Sequence, residues 1–533
     1  MKISHEIPTL MSATSVDESI QNIFGPIVDF LETIVFFAVP IGDAELPLLV
    51  VWLISAGIFL TFWLRIRPIR DAKLSFKIIK GHYSRHSDPG QVTSFQALAT
   101  ELSGTIGLGN IAGVAVAISL GGPGATLWII LAGLLGMAVK MAEATLGQKY
   151  RTVHADGSVS GGPMYYLRDG LKSIGRPKLG KFLGLFYAAG MMIAVLGAGN
   201  IFQANQVTAQ LVNVTGGTDS PLYGQGWIVG LVLALVAGVV IIGGIKSIAR
   251  MTSRITPIMA VLYVLCVLLI LAINIGQIPA AIATIFSSAF TGAGVTGGII
   301  GVAIIGIQRA VFSNAAGTGT AAMAHAASKN KRPAEEGLVA AWEPFIDSVV
   351  ICTMTALAII VTGVYQDTTS DGVAMTTDAF NTVHDAFSIL LTVSIALFGF
   401  STILSFSYYG RKTTGYVFNQ SKIAERAYDV VYVVFIVIGA SVSLDMVVRF
   451  SDAMFFLVTV PNMLGIYFLA KVLRKEVFDH RVGCQTGQIP VVPLGERSTI
   501  LGAKMSEKID KNGGSQPSGG ADKDPVSANA SDR

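Results

Sequence analysis

A glycine-rich interruption inside an apolar stretch constrains this chain more than any other feature. Residues 104–113 read Gly-Thr-Ile-Gly-Leu-Gly-Asn-Ile-Ala-Gly. Each glycine costs a helix about 1 kcal/mol relative to alanine, so this segment predicts a break. Because lipid cannot satisfy the hydrogen bonds of an unwound backbone, such a break is tolerated only beside protein or a water-filled cavity. A broken helix at mid-membrane is typical of a solute or ion site.

The composition supports a membrane setting for that break. The chain has 533 residues, of which 52% are hydrophobic and only 14% are charged, against about 25% charged in a soluble domain. Two of the three cysteines, Cys266 and Cys352, lie in apolar stretches. That placement excludes a disulfide framework and a cysteine metal site. We therefore expect an integral membrane protein.

Apolar stretches of about 20 residues mark the membrane spans. The sequence predicts eleven of them, at residues 46–64, 93–120, 124–148, 182–212, 226–244, 255–275, 295–323, 337–363, 378–408, 427–444 and 448–471. Residues 20–40 are also apolar but carry Asp29 and Glu32. We interpret them as an interfacial or re-entrant amphipathic helix, with a twelfth span as the less favoured alternative.

Lysine and arginine alternate strictly between the predicted loops. They occur in residues 65–91, 149–181, 246–254, 329–332 and 411–426, whereas residues 213–225, 276–294 and 364–377 contain neither. Basic loops stay in the cytoplasm. The pattern predicts a multi-pass protein of the plasma (inner) membrane, with its N-terminus outside and its C-terminus in the cytoplasm.

The span count also predicts the domain organisation. After the first span, ten remain, and they divide into five and five of opposite orientation. We predict inverted repeats at residues 93–275 and 295–471, each with a break in its first helix: residues 104–113 and 313–319. This is an all-α polytopic fold of the LeuT type.

The segments outside the repeats complete the predicted organisation. Residues 1–45 are an extracytoplasmic amphipathic segment, and residues 46–92 hold an extra transmembrane helix and a basic cytoplasmic loop. Residues 472–533 are a polar cytoplasmic tail. We expect that tail to be irregular at first and largely disordered from about residue 506.

The breaks and their flanking polar residues are the candidate binding site. Unwinding around Gly107–Gly109 would expose N–H groups and carbonyls, and a helix N-terminus attracts a carboxylate. Thr105 and Asn110 flank this break, and Asn314 adjoins the second. The alternative reading is close helix packing mediated by glycine.

Polar side chains in two other spans are further candidates. The fourth span carries three amides, Asn200, Gln203 and Asn205. Gln203 is placed to reach the ammonium or carboxylate of an amino acid, and packing between helices is the alternative. In the ninth span, Ser401 and Thr402 offer adjacent hydroxyls for Na⁺, a hard cation that prefers oxygen ligands. The alternative is that these hydroxyls bond to the carbonyls of their own helix.

Charged residues at membrane depth are functional candidates by default. Arg309 is expected to pair with an acid, for which Glu101 is our candidate, or to contact substrate. Lys140 and Glu143, three residues apart, are expected to pair or to snorkel at the cytoplasmic end of their span. Glu343 and Asp347 are expected to meet basic groups, or to carry protons in a proton-coupled transporter. His325 is expected to be structural.

Several motifs resemble the sodium:alanine/glycine symporter family over about residues 20 to 475. They are Phe95-Gln96-Ala97-Leu98, the run from Gly104 to Ala115, Gly121-Gly122-Pro123-Gly124-Ala125, Gly161-Gly162-Pro163-Met164-Tyr165-Tyr166, Gly199-Asn200 with Gln203-Ala204-Asn205, Ser313-Asn314 with Ala316-Gly317, Phe400-Ser401-Thr402-Ile403-Leu404, and Ser407-Tyr408-Tyr409-Gly410. The resemblance implies eleven helices with a LeuT-type core. It also implies import of a small neutral amino acid, alanine or glycine, coupled to Na⁺ by alternating access.

The resemblance also implies roles for individual residues. The substrate pocket would be lined by Thr105, Gly107, Gly109, Asn110, Gln203, Asn314 and Gly317. Na⁺ would be held by Ser401 and Thr402 with backbone carbonyls near Thr105. Many members have Thr where this chain has Leu108, and Glu where it has Ala315, so the preferred amino acid stays open.

Other classes of function fit the sequence less well. We expect lipid, Na⁺ and an amino acid as partners, with no organic cofactor and no nucleic acid. A proton-coupled transporter that uses Glu101, Glu343 or Asp347 is the main alternative, and a channel is the weaker one. A channel would need a ring of selectivity residues, and an intramembrane enzyme an acid/base or metal constellation. Neither pattern is visible in the sequence.

Overall fold

The computed structural model describes residues 15–41, 44–155, 157–291, 297–366, 372–384 and 386–499. The disorder predicted from about residue 506 therefore lies outside the described residues. The described chain is largely helical, with two short antiparallel hairpins. One pairs β1 (Ala38–Ile41) with β2 (Ala44–Pro47), and the other pairs β3 (Thr152–Val153) with β4 (Val159–Ser160).

The first half of the chain contains fourteen described helices. They are α1 (Ser15–Val35), α2 (Leu48–Trp63), α3 (Arg67–Arg70), α4 (Ala72–Ile79), α5 (Ser94–Thr105), α6 (Ala112–Gly121), α7 (Ala125–Lys149), α8 (Pro163–Tyr165), α9 (Leu171–Ser173), α10 (Pro177–Leu196), α11 (Phe202–Val214), α12 (Gly226–Ile242), α13 (Gly244–Ile273) and α14 (Ile278–Thr291). Two π-helical turns, Tyr166–Gly170 and Gly197–Ile201, join α8 to α9 and α10 to α11.

The described second half contains nine helices. They are α15 (Gly298–Asn314), α16 (Thr320–Ala326), α17 (Pro333–Ala340), α18 (Thr353–Thr362), α19 (Gly372–Asn381), α20 (Ala386–Val417), α21 (Lys422–Gly439), α22 (Leu444–Phe468) and α23 (Ala470–Thr486). A π-helical run, Phe345–Cys352, precedes α18. Short 3₁₀ turns occur at Gly217–Asp219, Ile275–Gln277, Val364–Gln366 and Leu494–Glu496.

Several of the described helices are long and apolar enough to cross a membrane. Among the described residues, five continuous helical segments meet that test: Ala125–Lys149, Pro177–Val214, Gly244–Ile273, Pro333–Thr362 and Ala386–Val417. Two bent pairs meet it as single spans, Ser94–Thr105 with Leu108–Gly121 and Leu444–Phe468 with Ala470–Thr486. The chain is therefore a multi-pass membrane protein. The count of eleven spans and the inverted repeat stay predictions.

Both predicted breaks are present. At the first, the helical axis bends by 54° between its two halves. At the second, α15 ends at Asn314 and α16 begins at Thr320. Ala315, Gly317 and Gly319 have φ angles of 52°, 96° and 88°, a left-handed region that glycine adopts without steric cost. The glycine content of the second break thus fits the backbone path that it follows.

Several predicted boundaries are wrong. Residues 276–294, predicted as a loop, contain the helix Ile278–Thr291, which at 14 residues is too short to register as a span. The helix Gly244–Ile273 begins well before residue 255, so the basic residues near 250 lie in a helix. Within the predicted span 378–408, α19 ends at Asn381 and α20 begins at Ala386. Hydropathy reports where a segment is apolar, not where its helix begins.

The C-terminal prediction of an irregular segment from residue 472 is also wrong. Residues Ala470–Thr486 form a helix that bends by 64° away from the one before it. Polar contacts fix it to the rest of the chain: Arg481 contacts Asp71 at 2.5 Å, and Glu476 contacts Lys149 at 2.5 Å. Hydropathy did not indicate this helix because it is polar. A helix at the end of a bundle does not need to be apolar on every face.

The basic segments meet at one end of the molecule, which we call the basic end. The Arg151 guanidinium donates hydrogen bonds to the carbonyls of Pro89, Ala326 and Ser328 at 2.6–2.8 Å. Lys412 donates to the Val159 carbonyl at 2.9 Å. Burial lowers the pKa of Arg151 to about 10, so it stays charged at neutral pH. Segments that the sequence assigned to the same side of the membrane are therefore in contact.

Candidate functional site

The first break is held together by two amide side chains. Asn110 Oδ1 accepts from the backbone N–H of Gly107 at 2.9 Å. Gln203 Oε1, from the neighbouring α11, accepts from the N–H of Leu108 at 3.2 Å. Backbone groups that a helix would have paired are thus bound by side chains, as burial requires. Among the predicted pocket residues, Asn110 and Gln203 are the two that hold the unwound backbone.

Asp347 joins this break to the end of α15. Its Oδ1 accepts from Asn110 Nδ2 at 2.7 Å, and its Oδ2 accepts from the hydroxyls of Ser313 and Ser348, each at 2.8 Å. The carboxylate is fully buried. Sequence reasoning named Asp347 only as a partner for basic groups or as a proton carrier. Its contacts are instead amide and hydroxyl groups, which place it between the two broken helices.

Glu143 organises the second break. Its Oε1 accepts from the backbone N–H groups of Gly317 and Gly319, at 2.9 and 3.0 Å, and from Asn462 Nδ2 at 2.9 Å. Asn462 also donates to the Gly317 carbonyl at 2.7 Å. All three of these hydrogen bonds converge on one carboxyl oxygen, and two of them come from backbone N–H groups of the break. The side chain therefore fixes the path of residues 317–319.

Two tyrosines complete the polar support of the second break. Tyr166 donates its hydroxyl hydrogen to Asn462 Oδ1, and Tyr187 donates to the Thr318 carbonyl at 2.8 Å. Both rings are fully buried. The sequence analysis did not assign these contacts, because Tyr166 was read as part of a cytoplasmic loop and Tyr187 lies in an apolar span. A tyrosine inside a span is the signal that was available, since a buried hydroxyl needs a partner.

The prediction that Lys140 and Glu143 pair or snorkel is wrong. Both side chains are fully buried. Lys140 Nζ lies 2.5 Å from Glu101 Oε1 and 3.6 Å from Glu343 Oε2. Glu143 turns to the second break instead. Because a buried lysine needs a compensating carboxylate, the tertiary partners override the spacing along the helix.

The pairing predicted between Arg309 and Glu101 is wrong as well. Arg309 forms an ion pair with Asp452 of α22, and its guanidinium carbon lies 5.1 Å from the centre of the Phe312 ring. Glu101 instead forms its ion pair with Lys140. The expectation that Arg309 pairs with an acid was right in kind, and the acid lies 143 residues further along the chain.

Asn314, the last residue of α15, holds the chain that follows it at the second break. Its Oδ1 accepts from the N–H of Ala316 at 2.9 Å, and its Nδ2 donates to Ser348 Oγ at 2.9 Å. Both side-chain atoms are therefore engaged within the protein. Asn314 also meets the Asp347 cluster through Ser348, which brings the predicted residues of the two breaks into one hydrogen-bonded network.

The glycines of the first break permit close approach of other helices. A Cβ on Gly107 would lie 2.6 Å from Thr402 Oγ1 and 3.3 Å from Gln203 Oε1. A Cβ on Gly109 would lie 3.2 Å from the Cα of Ser313. Side chains at these positions would push α20 and α15 away from the break. Close packing and a binding role thus use the same glycines.

Ser401 and Thr402 face the last turn before the first break. Thr402 Oγ1 donates to the Ser103 carbonyl at 2.9 Å. Ser401 Oγ donates to the Phe398 carbonyl at 3.0 Å and lies 3.5 Å from the Ser103 carbonyl. The two hydroxyls and the Ser103 carbonyl are oxygen ligands of the kind that a hard cation prefers. This donor set fits Na⁺.

The other predicted residues divide between the site and the packing of helices. Asn200 and Asn205 donate to the carbonyls of Tyr432 and Val442, each at 2.6 Å, away from the breaks. The Thr105 hydroxyl donates to the Glu101 carbonyl of its own helix at 3.2 Å. Among the three amides of the fourth predicted span, Gln203 alone contacts the first break in the described structure.

An aromatic cluster adjoins the breaks and was not predicted. The ring centres of Phe312 and Phe202 lie 5.0 Å apart, those of Phe312 and Phe455 6.1 Å, and those of Phe455 and Phe406 5.8 Å. A Cβ on Gly109 would lie 3.5 Å from Phe312. The cluster therefore forms an apolar wall beside the first break, and site residues such as Asn110 and Gln203 are at most 3% exposed.

The similarity to known proteins fits this geometry. A sequence model of the sodium:alanine symporter family matches residues 32–492. The chain belongs to the sodium:alanine symporter family. This family consists of transporters, so the chain is a membrane transport protein, and the resemblance seen in the motifs is confirmed.

Relatives within this family carry several substrate names. The "Sodium/alanine symporter AgcS" of Methanococcus maripaludis is 41% identical over 434 residues, which are 81% of this chain and 93% of the relative. The "Probable sodium/glutamine symporter GlnT" of Bacillus subtilis is 32% identical and covers 83% of this chain and 90% of its own length. The "Putative sodium/proton-dependent alanine carrier protein YrbD" of the same organism is 32% identical over 82% of this chain and 91% of the relative.

A solved structure shows the fold class. The crystal structure of MhsT in complex with L-phenylalanine aligns with 73% of this chain and 98% of its own, with a TM-score of 0.52 and 15% sequence identity. The similarity confirms the predicted LeuT-type helical membrane fold. At this identity it indicates nothing about the substrate of the family member described here.

Proposed function

We propose that the protein is a symporter that imports a small neutral amino acid, alanine or glycine, together with Na⁺ by alternating access. Membership of the sodium:alanine symporter family supports the transport of an amino acid with a cation. The observation that carries the proposal is the first break. The amide oxygens of Asn110 and Gln203 hold its unwound backbone in place. The N–H groups at the start of the half-helix that follows are donors from which a substrate carboxylate can accept.

The ends of the amino acid match different groups of the site. In our proposal, the carboxylate lies against residues 107–109, at the start of the second half of the broken helix. The ammonium faces acceptor oxygens of Gln203 and Asp347. Asn314 and Gly317 contribute by shaping the second break, where the Asn314 amide oxygen accepts from Ala316 N–H.

A small side chain fits the proposed pocket best. Leu108 is fully buried, and the Phe312 ring closes the side next to Gly109. A hydrogen or a methyl group can be accommodated beside such apolar walls at low cost, whereas an amide or a charge would lose its hydrogen bonds to water. Alanine and glycine are therefore the preferred candidates, and glutamine is disfavoured.

Na⁺ would bind between α5 and α20 and couple to the substrate through the break. Thr402 Oγ1 lies close enough to Gly107 for a Cβ there to be 2.6 Å away. An ion held by Ser401, Thr402 and the Ser103 carbonyl would order residues 103–107. Such coupling is reciprocal and typically amounts to about 1–3 kcal/mol. Na⁺ would therefore raise the affinity for the amino acid, and the amino acid would raise the affinity for Na⁺.

We infer the orientation from the basic end. Arg151 and the basic segments that it contacts lie together, as the positive-inside rule requires of cytoplasmic loops. This supports a plasma (inner) membrane protein with the basic end in the cytoplasm. The N-terminus would then lie outside and the C-terminus inside.

Liposome uptake tests the proposed function. Purified protein in liposomes is expected to accumulate labelled alanine against its gradient when Na⁺ is directed inward, and to fail when Na⁺ is replaced by K⁺. Competition by unlabelled glycine, serine and glutamine ranks the substrates. Equal uptake with and without Na⁺ would refute sodium coupling, and equilibration without accumulation would indicate a channel.

Proton coupling is the second candidate, because the breaks are held by buried carboxylates. Glu143 Oε2 is buried and lacks a hydrogen-bond partner within the described structure, so it has room to carry a proton. Uptake that persists without Na⁺ and collapses with a protonophore would favour this alternative. Uptake that needs Na⁺ and ignores the protonophore would exclude it.

A further inference from the structure

Lys140 lies at the centre of a buried group of charges that the site does not use. Its Nζ is 2.5 Å from Glu101 Oε1, 3.2 Å from Thr320 Oγ1 and 3.6 Å from Glu343 Oε2. The side chains of Lys140, Glu101 and Glu343 are 0% exposed. Such a cluster is costly to bury, so its position in the fold calls for a reason.

The cluster joins the two half-helices that point from the breaks to the basic end. Glu101 lies in α5, just before the first break, and Thr320 is the first residue of α16, just after the second. Glu101 Oε1 accepts from Thr320 Oγ1 at 2.5 Å. Tyr409 of α20 donates to the other oxygen of the same carboxylate. One carboxylate thus holds the half-helices of both breaks against α7 and α20.

A second set of contacts holds the outer ends of the same half-helices. His325, near the end of α16, lies 2.7 Å from both Glu343 Oε1 and Glu336 Oε2. Glu336 Oε1 in turn accepts from the hydroxyl of Ser94, the first residue of α5, at 2.5 Å. We call Glu101, Lys140, Thr320, His325, Glu336 and Glu343 the basic-end clasp. It spans α5 and α16 from the breaks to their outer ends.

The physical properties of the clasp suit a contact that opens. Charges interact strongly while they are dry and weakly once water surrounds them. If α5 and α16 separate, water enters and solvates each charge. The free energy is low when the charges are dry and paired, and also when they are separated and surrounded by water. It is high in a half-opened state, in which the charges are unpaired but still dry. A contact with two favourable arrangements is what a two-state gate needs.

We propose that the basic-end clasp is the cytoplasmic gate, the set of contacts that breaks when the path from the site to the cytoplasm opens. This rests on the proposed function, in that the gate serves alternating access. Glu101 and Lys140 are positioning residues here, because they act on α5 and α16 and do not touch the substrate.

Hydrogen–deuterium exchange of the full-length purified protein, without amino acid or Na⁺, tests the gate. The double variant Glu101→Gln with Lys140→Met removes both charges of this ion pair, and Glu343 keeps its contact with His325. We expect exchange to rise about tenfold in residues 94–105 and 320–326. Residues 112–121 and 298–314, the other halves of the broken helices, should keep the wild-type rate.

A matched control uses the same helix. Lys149→Met with Glu476→Gln removes another ion pair of α7. This pair is also 2.5 Å long, but its side chains are 30% and 25% exposed. Its removal should leave the exchange rates of residues 94–105 and 320–326 unchanged. Thr320→Val, which keeps every charge, should raise exchange in the same two segments by about fivefold. If the double variant does not fold, the Thr320→Val variant alone tests the gate.

The outcomes separate the gate from the transport function. Wild-type exchange in residues 94–105 and 320–326 would overturn the proposal, and so would an equal rise in all four half-helices. Because the measurement needs no substrate, a segment-specific rise supports the gate even if liposomes take up no alanine. Sodium-driven uptake together with unchanged exchange would refute the gate alone.

Discussion

Replacement of Asn110 by alanine tests the arrangement of the first break directly. The Asn110 side chain accepts from Gly107 N–H at 2.9 Å and donates to the Asp347 carboxylate at 2.7 Å. A neutral hydrogen bond contributes about 0.5–1.5 kcal/mol and one to a charged group about 1.5–3 kcal/mol. Together the substitution removes about 2–4.5 kcal/mol from the closed site.

That loss should appear mainly in substrate binding. In the substrate-free protein, water that enters the break can replace both hydrogen bonds, whereas the closed, substrate-bound site excludes it. With about 1.4 kcal/mol for each factor of ten, alanine affinity should fall roughly 30- to 1,600-fold. Equilibrium binding of labelled alanine to purified protein in saturating Na⁺ measures the change.

A second buried asparagine provides the matched control. Asn205 donates to the Val442 carbonyl at 2.6 Å, away from the break. Asn205→Ala should lower the melting temperature and leave alanine affinity within about threefold of the wild type, because its hydrogen bonds, to Val442 and from Gln206, contribute to stability alone. If Asn110→Ala binds alanine as tightly as Asn205→Ala does, the proposed role of the first break is refuted.

Three further substitutions probe the ion site, the helix crossing and the buried ion pair. Thr402→Val should raise the Na⁺ concentration for half-maximal uptake about tenfold through the lost oxygen ligand; an unchanged Na⁺ dependence would rule the ligand out. Gly107→Ala should abolish sodium-dependent alanine binding, since its methyl group would lie 2.6 Å from Thr402 Oγ1, whereas Gly113→Ala, with no atom within 4 Å, should bind normally. Arg309→Met should destabilise the protein by about 3–5 kcal/mol, because it leaves Asp452, which is only 13% exposed, unpaired. Asp452→Leu in the same chain should restore most of the melting temperature; no recovery would count against the pair.

The breaks could be predicted from the sequence because their cause is local. A cluster of glycines weakens a helix wherever it occurs, and an amide in an apolar stretch needs a partner. Asn110 and Gln203 were therefore found at the first break, and Thr402 was found beside it. In each case the residue type and its neighbours along the chain carried enough information.

The partners of the buried charges could not be predicted in the same way. Glu101 and Lys140 are 39 residues apart, and Arg309 and Asp452 are 143 apart. Which carboxylate meets which cation depends on how the helices pack. The same holds for Glu143, whose spacing from Lys140 suggested a pair on one helix, while its tertiary contacts assign it to the second break.

The π-helical turns make the site depend on chain length as well as on residue identity. A π turn accommodates one extra residue in a helix, and each residue turns an α-helix by about 100°. Gln203 follows such a turn at Gly197–Ile201, and Asp347 lies inside another at Phe345–Cys352. Deleting one residue from the turn Gly197–Ile201 would restore a regular helix and rotate α11 relative to α10 about the helix axis. Gln203 would then lie out of phase with the break while every residue of the site remained in the sequence.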